Sequence, residues 1–138
     1  MTTRVELFGA RIPVIGWIAH HHWLVVRAGD RVDRWEVWQS ANAGGESFGH
    51  LHHGLFPPEA GVGWGPGWLV ETWIGDEAEA LAVYIDRMPL EYPWRGRYRY
   101  WPGPNSNTFV QWVLGPRRAL GWQAIGRAYG ARTADESP

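Results

Sequence analysis

The chain has 138 residues, 14 acidic and 13 basic side chains, no cysteine, and 11 tryptophans beside 18 glycines and 10 prolines. That length supports one domain with its own core, and 45% hydrophobic against 20% charged residues is a globular rather than a disordered composition. A formal charge of -1 offers no broad field to a phosphate backbone, and the missing cysteine excludes disulfides, thiolate zinc sites and thiol nucleophiles together.

Any catalysis therefore rests on hydroxyl, imidazole and carboxylate groups. The segment Met1 to Glu6 lacks the apolar core of a signal peptide, and no stretch reaches the roughly 18 apolar residues of a membrane helix. The expected location is cytoplasmic, with no membrane span. A single globular domain is expected over residues 1–131, with 132–138 as a flexible tail.

Val5 with Leu7, Ile12 to Ile18, and Trp23 to Val26 are short apolar, β-branched runs that predict strands. Ala28-Gly29-Asp30 predicts a hairpin turn into a further strand from Val32 to Gln39. From Ser40 to Gly67 the frequent glycines, His50, His52, His53 and Pro57-Pro58 predict a long loop with one short strand. Its aromatic residues, Phe48, Phe56, Trp64 and Trp68 among them, predict that it folds over a surface or cleft. Gly61 to Gly65 precedes Pro66 rather than a helix, so it is a poor phosphate loop. A helix is predicted after Gly75, capped by Asp76, with Ala78, Leu81, Ala82, Ile85 and Met88 on one face and Pro89 as its stop. Alternation over Arg95 to Trp101 predicts a strand. A second helix is predicted from Asn105 or Ser106 to Leu114, ended by Gly115-Pro116.

Trp101 to Thr108 is a rigid turn that delivers Asn105, Ser106, Asn107 and Thr108 to the start of that helix. Asn and Ser are good N-caps, which accounts for them structurally. Alternatively the unpaired amides face an anion or a developing oxyanion, and Ser106 is a nucleophile. A serine needs an imidazole to take its proton and an acceptor to hold the other ring nitrogen. Strand alternation puts His20 and His22 on one face and His21, with Trp23, on the other, and which of them meets Ser106 is open. Glu36 and Gln39, on the next strand, are the candidate acceptors.

The string WPGPNSNTFVQWVL, preceded by RYRYW and followed by AIGRAYG, together with His21-His22-Trp23 upstream, resembles the hallmark of the bacterial DUF3750 family of unknown function. More distantly, an early His22-Trp23-Leu24-Val25-Val26 strand and a late Asn105-Ser106-Asn107-Thr108-Phe109 segment are similar in order to circularly permuted NlpC/P60 papain-like proteins. Ser106 stands where that group has cysteine. The resemblance implies an α+β fold, an antiparallel sheet packed with two or three helices. It also implies a hydrolase or acyltransferase site for an amide or ester, built on Ser106 with His21 or His22 and Glu36 or Gln39. The closer family's spacing selects His21, and the permuted group's selects His22. Asn105, Asn107, Thr108, Trp101 and Trp23 are expected to line the substrate cleft, with the 105–108 amides as an oxyanion pocket.

Two other classes compete. An inactive papain-like module would use Trp64, Trp68, Trp73, Trp94 and Trp101 as a groove for a peptide, glycan or lipid. A metal site would draw on His20, His22, His50 and His52, although no zinc-ligand spacing is present. No cofactor is implied, and the expected partner is a small molecule, peptide or lipid rather than nucleic acid.

Overall fold

Period-two alternation of apolar residues dominates the N-terminal half, and in the computed structural model, which describes residues 2–130, it is realised as antiparallel sheet. Strand β1 (Thr3–Arg11) pairs with β2 (His20–Ala28), which turns through Gly29-Asp30 into β3 (Arg31–Val37). Two short strands, β4 (Glu46–Phe48) and β5 (Leu51–His53), extend one side, and β6 (Trp64–Ile74) pairs with β1 on the other. The resulting order is β4-β5-β3-β2-β1-β6.

Val5, Leu7, Leu24, Val26, Trp35 and Val37 point to one face, where α1 (Gly75–Asp86) and α3 (Ser106–Leu114) pack and close the main core. A four-residue helix, α2 (Met88–Glu91), follows α1 and buries Met88. Phe8, Ala10, Trp23 and Val25 point to the other face and form a smaller cluster under Val62 of the 54–63 loop. This loop covers the sheet, as its aromatic content predicts. The α+β expectation, antiparallel sheet and three helices included, is met.

Four local expectations are corrected. Ile12 to Ile18 is a series of turns, because Pro13 and Gly16 break the run and Val14 takes φ 74, outside any strand. The last residues of the expected 40–67 loop, from Trp64, instead begin the strand Trp64–Ile74; Gly65, Pro66 and Gly67 hide its alternation, and an edge position tolerates the proline. Arg95 to Trp101 forms no strand, since its backbone joins the rest only through single bonds such as His50 N–H to Arg95 O (2.7 Å). The cap of α1 is Ile74, without a side-chain bond; Asp76 lies in the first turn, and the helix stops at Asp86, before Met88. The expected tail, 132–138, lies outside the described residues.

Candidate functional site

The start of α3 is held by a capping box. The Asn105 side chain accepts from Asn107 N–H (2.9 Å) and Thr108 N–H (3.3 Å), and Thr108 Oγ1 accepts from Asn105 N–H (3.0 Å). Thr108 also donates its hydroxyl to Gly126 O (2.7 Å), and Asn105 Nδ2 donates to Tyr100 O (2.8 Å). Gly126 sits at φ +92, and a Cβ there would lie 2.3 Å from Asn105 Nδ2, which explains the glycine of the AIG element. Asn105 and Thr108 are thus occupied in tying α3 down. Of the four amides from 105 to 108, only that of Ser106 has no partner among the described residues. The expected amide pocket shrinks to one donor.

Asn107 does a different job. Its Nδ2 donates to His20 O (2.8 Å) and Ile125 O (3.0 Å), which fixes the amide's orientation. Its Oδ1 therefore accepts from His22 Nδ1–H (2.8 Å), and the lone pair of His22 is left on Nε2, beside Gly9. Burial, partly opposed by the Asn107 bond and reinforced by His21, His20 and Arg118, pulls the His22 pKa down to about 4. His22 is a neutral, committed structural histidine.

His21 lies on the opposite face. Its Nε2 is 2.7 Å from Glu36 Oε2, with the side chains 5% and 0% exposed. Arg34 grips the same carboxylate through Nε to Oε1 (2.7 Å) and Nη2 to Oε2 (2.9 Å). Burial alone would raise the Glu36 pKa, but the His21 and Arg34 donors outweigh it and hold it below its ordinary value. An ionised carboxylate only accepts, so His21 donates its Nε2–H to Glu36, and its Nδ1 has no hydrogen-bond partner among the described residues. Arg34 Nη1 also donates to Pro57 O (2.8 Å) and Ala60 O (2.7 Å), and its guanidinium lies 3.9 Å over the Trp23 ring. Trp23 Nε1 donates to Pro58 O (2.8 Å), so the covering loop is pinned to the same residues that hold Glu36.

At the end of the sheet, where β1 finishes, β2 begins and β3 ends, His21 and Ser106 line one cavity of about 320 Å³. Gln39 is on its wall, and the rest is mostly apolar: Ile12, Pro13, Val37 and Val62, with the rings of Trp38, Tyr98 and Tyr100. Ser106 makes no side-chain hydrogen bond among the described residues, so no bond links it to a histidine ring.

The other candidates lie elsewhere. Trp23 is fully buried behind His21, stacked on it at 5.5 Å, rather than on the cavity wall. Trp101 is 74% exposed and lines a separate groove with Pro102, Trp122 and Tyr129. Trp73 and Trp94 pack in or against the main core, while Trp64 is exposed beside Arg11, so these indoles form no common groove. His50 pairs with Trp38 O (2.9 Å), and His52 Nε2 accepts from Ala43 N–H (3.0 Å). Among the described residues no group of His, Asp and Glu is placed to hold a metal ion. Sequence reasoning missed Arg34. Its signal was the alternation Arg34, Glu36 against Trp35, Val37, which in a strand buried on both faces leaves the charged pair no solvent.

No curated protein and no solved structure matches the chain significantly. A family model described as protein of unknown function DUF3750 matches residues 2–129, and the chain accordingly belongs to the DUF3750 family.

Proposed function

We propose that the protein is a serine hydrolase or acyltransferase acting on an amide or ester, with Ser106 as nucleophile, His21 as base and Glu36 as the acceptor that orients it. The observation that carries this reading is the His21–Glu36 pair, buried and clamped by Arg34, with His21 lining the same cavity as Ser106. In this scheme the Ser106 hydroxyl proton passes to His21 Nδ1 as Oγ bonds to the substrate carbonyl carbon. The imidazolium then returns the proton to the departing alkoxide or amine. Water or a second acceptor takes the acyl group, with His21 acting as base again. The Ser106 amide and the Gln39 side chain are the donors on the cavity wall for the oxyanion. The mostly apolar lining suits an uncharged acyl group. An early histidine strand followed by a nucleophile position at a later helix start is also the order of permuted NlpC/P60 proteins, which supports assigning the fold to that type.

Fluorophosphonate labelling tests the proposal. Wild-type protein is expected to be labelled on Ser106, with labelling lost in Ser106→Ala and His21→Ala and sharply reduced in Glu36→Gln. An unlabelled wild type, or label that survives Ser106→Ala, overturns it and leaves the inactive binding module as the reading.

A further inference from the structure

The turns after β1 carry seven consecutive uncharged residues, Ile12-Pro13-Val14-Ile15-Gly16-Trp17-Ile18. Their outer side chains are bare: Val14 is 76% exposed, Trp17 77% and Ile18 53%, and Trp64 beside them is 44% exposed. Val14 also holds φ 74, a conformation that a β-branched residue adopts only under strain, and no burial compensates for it. Neither folding nor solubility explains an exposed, strained valine at the tip of an apolar turn. The turn is held in place. A Cβ on Gly16 would lie 2.6 Å from Arg11 Cβ and 2.8 Å from the Trp64 ring, and one on Gly63 would lie 2.9 Å from Pro13 Cγ. Residues 12–18 and the start of β6 therefore make one continuous surface.

We infer that this surface is an interfacial anchor that docks the protein on an anionic lipid membrane, with Val14, Trp17, Ile18 and Trp64 entering the acyl boundary. Charge selects the lipid: Arg11 lines the groove with Trp17 and Trp64 and is the one charged residue on that lining among the described residues, a cation suited to anionic headgroups. Size argues against a second copy, since a stable protein interface needs about 20–30 residues a side and this patch offers a handful. A bilayer accepts a few protruding aromatic and aliphatic side chains. Contact is peripheral, because no helix among the described residues is long and apolar enough to cross a membrane. Ile12 and Pro13 belong both to the anchor turn and to the cavity that holds His21 and Ser106, so docking would set that cavity against the lipid surface.

Flotation of the full chain with vesicles tests the inference without any assay of catalysis. Wild-type protein is expected to float with phosphatidylcholine–phosphatidylglycerol vesicles, more weakly with phosphatidylcholine alone, and less at high salt. Val14→Asp and Trp17→Ser should each lower partitioning about tenfold, the scale of burying one such side chain. Asp accepts positive φ better than Val, so the first variant does not threaten the fold. Arg11→Gln should remove the preference for the anionic lipid. Leu90→Asp, on α2 and 87% exposed, should change nothing. Ser106→Ala should bind as wild type, so docking and catalysis can fail separately. Absence of flotation by the wild type, an equal loss in Leu90→Asp, or a concentration-dependent dimer abolished by Val14→Asp would each overturn the inference, the last by giving the patch to a second copy.

Discussion

His21 and His22 are consecutive on β2, yet the pleat sends them to opposite faces of the sheet and into different chemistry. On the helix face His22 donates its Nδ1–H to Asn107, its Nε2 lies beside Gly9, and burial pulls its pKa down to about 4. On the loop face His21 donates its Nε2–H to a carboxylate fixed by Arg34 and lines a cavity. The helix face is mostly apolar core, and the side chains of Asn105, Asn107, Thr108 and His22 hold the start of α3 against the sheet. The loop face buries an Arg–Glu–His chain that costs desolvation and is repaid only while every member is present. One residue of alternation therefore separates a histidine bound to the amide that anchors α3 from a histidine bound to a buried carboxylate at a cavity.

The comparison breaks most severely at Arg34. Arg34→Met leaves the Glu36 carboxylate buried with His21 as its remaining side-chain donor and frees the carbonyls of Pro57 and Ala60. Stability should fall by about 3–5 kcal/mol in urea denaturation, the cost of breaking a buried ion pair from one side. Adding Glu36→Gln should recover part of that loss, because the uncompensated charge is gone. A loss below about 1 kcal/mol for the single variant would mean that the loop face is not the tightly balanced network described.

On the helix face the corresponding test is acid. With a folded pKa of about 4 against 6.5 unfolded, His22 contributes stability that is complete above pH 6.5 and is lost as pH falls from 6.5 towards 4. Between those values the unfolded chain binds the extra proton, so stability rises with pH there, by about 3 kcal/mol in all. His20 and His52, also lowered by burial, act in the same direction. His53, raised by Asp33 and Glu46 in spite of burial, opposes them. The measurement is therefore the difference between wild type and His22→Gln from pH 7 to 4. His22→Gln should show the flatter curve, since Gln still donates to Asn107. Parallel curves would remove His22 from the account.

Much of the site was legible because it depends on short-range rules. Asn105 or Ser106 ahead of an apolar run announces a helix N-cap, and alternation alone separates His21 from His22. What stayed hidden depends on neighbours distant in sequence. Arg34 reads as a solvated strand residue until the 54–63 loop lies over it, and the start of β6, residues 64–67, reads as loop until β1 offers it an edge. Ile12 to Ile18 erred in the reverse sense: its β-branched composition says strand, but Pro13, Gly16 and the positive φ of Val14 turn it outward. Trp23 and Trp101 were expected to wall the cleft because they adjoin its segments in sequence. A strand interior position buried the first, and a turn exposed the second.

The smallest expected effect sharpens the comparison most. Asn105→Ala removes the cap acceptor for two amides and the bond to Tyr100 O, so stability should fall by about 1–2 kcal/mol. Asn105→Asp, which keeps the acceptor at a helix N-terminus, should retain most of it. If Asn105 belongs only to the fold, folded Asn105→Ala protein should react with a fluorophosphonate within about threefold of wild type, a shift of less than ~1 kcal/mol in barrier. Glu36→Gln removes the charge that steadies an imidazolium on His21 and should slow the same reaction about a hundredfold or more. Stability and reactivity would then respond to different residues on the two faces of one sheet. Equal loss of labelling in the two variants would instead mean that the cap itself is part of the reacting geometry, with the Ser106 amide dependent on Asn105 for its aim.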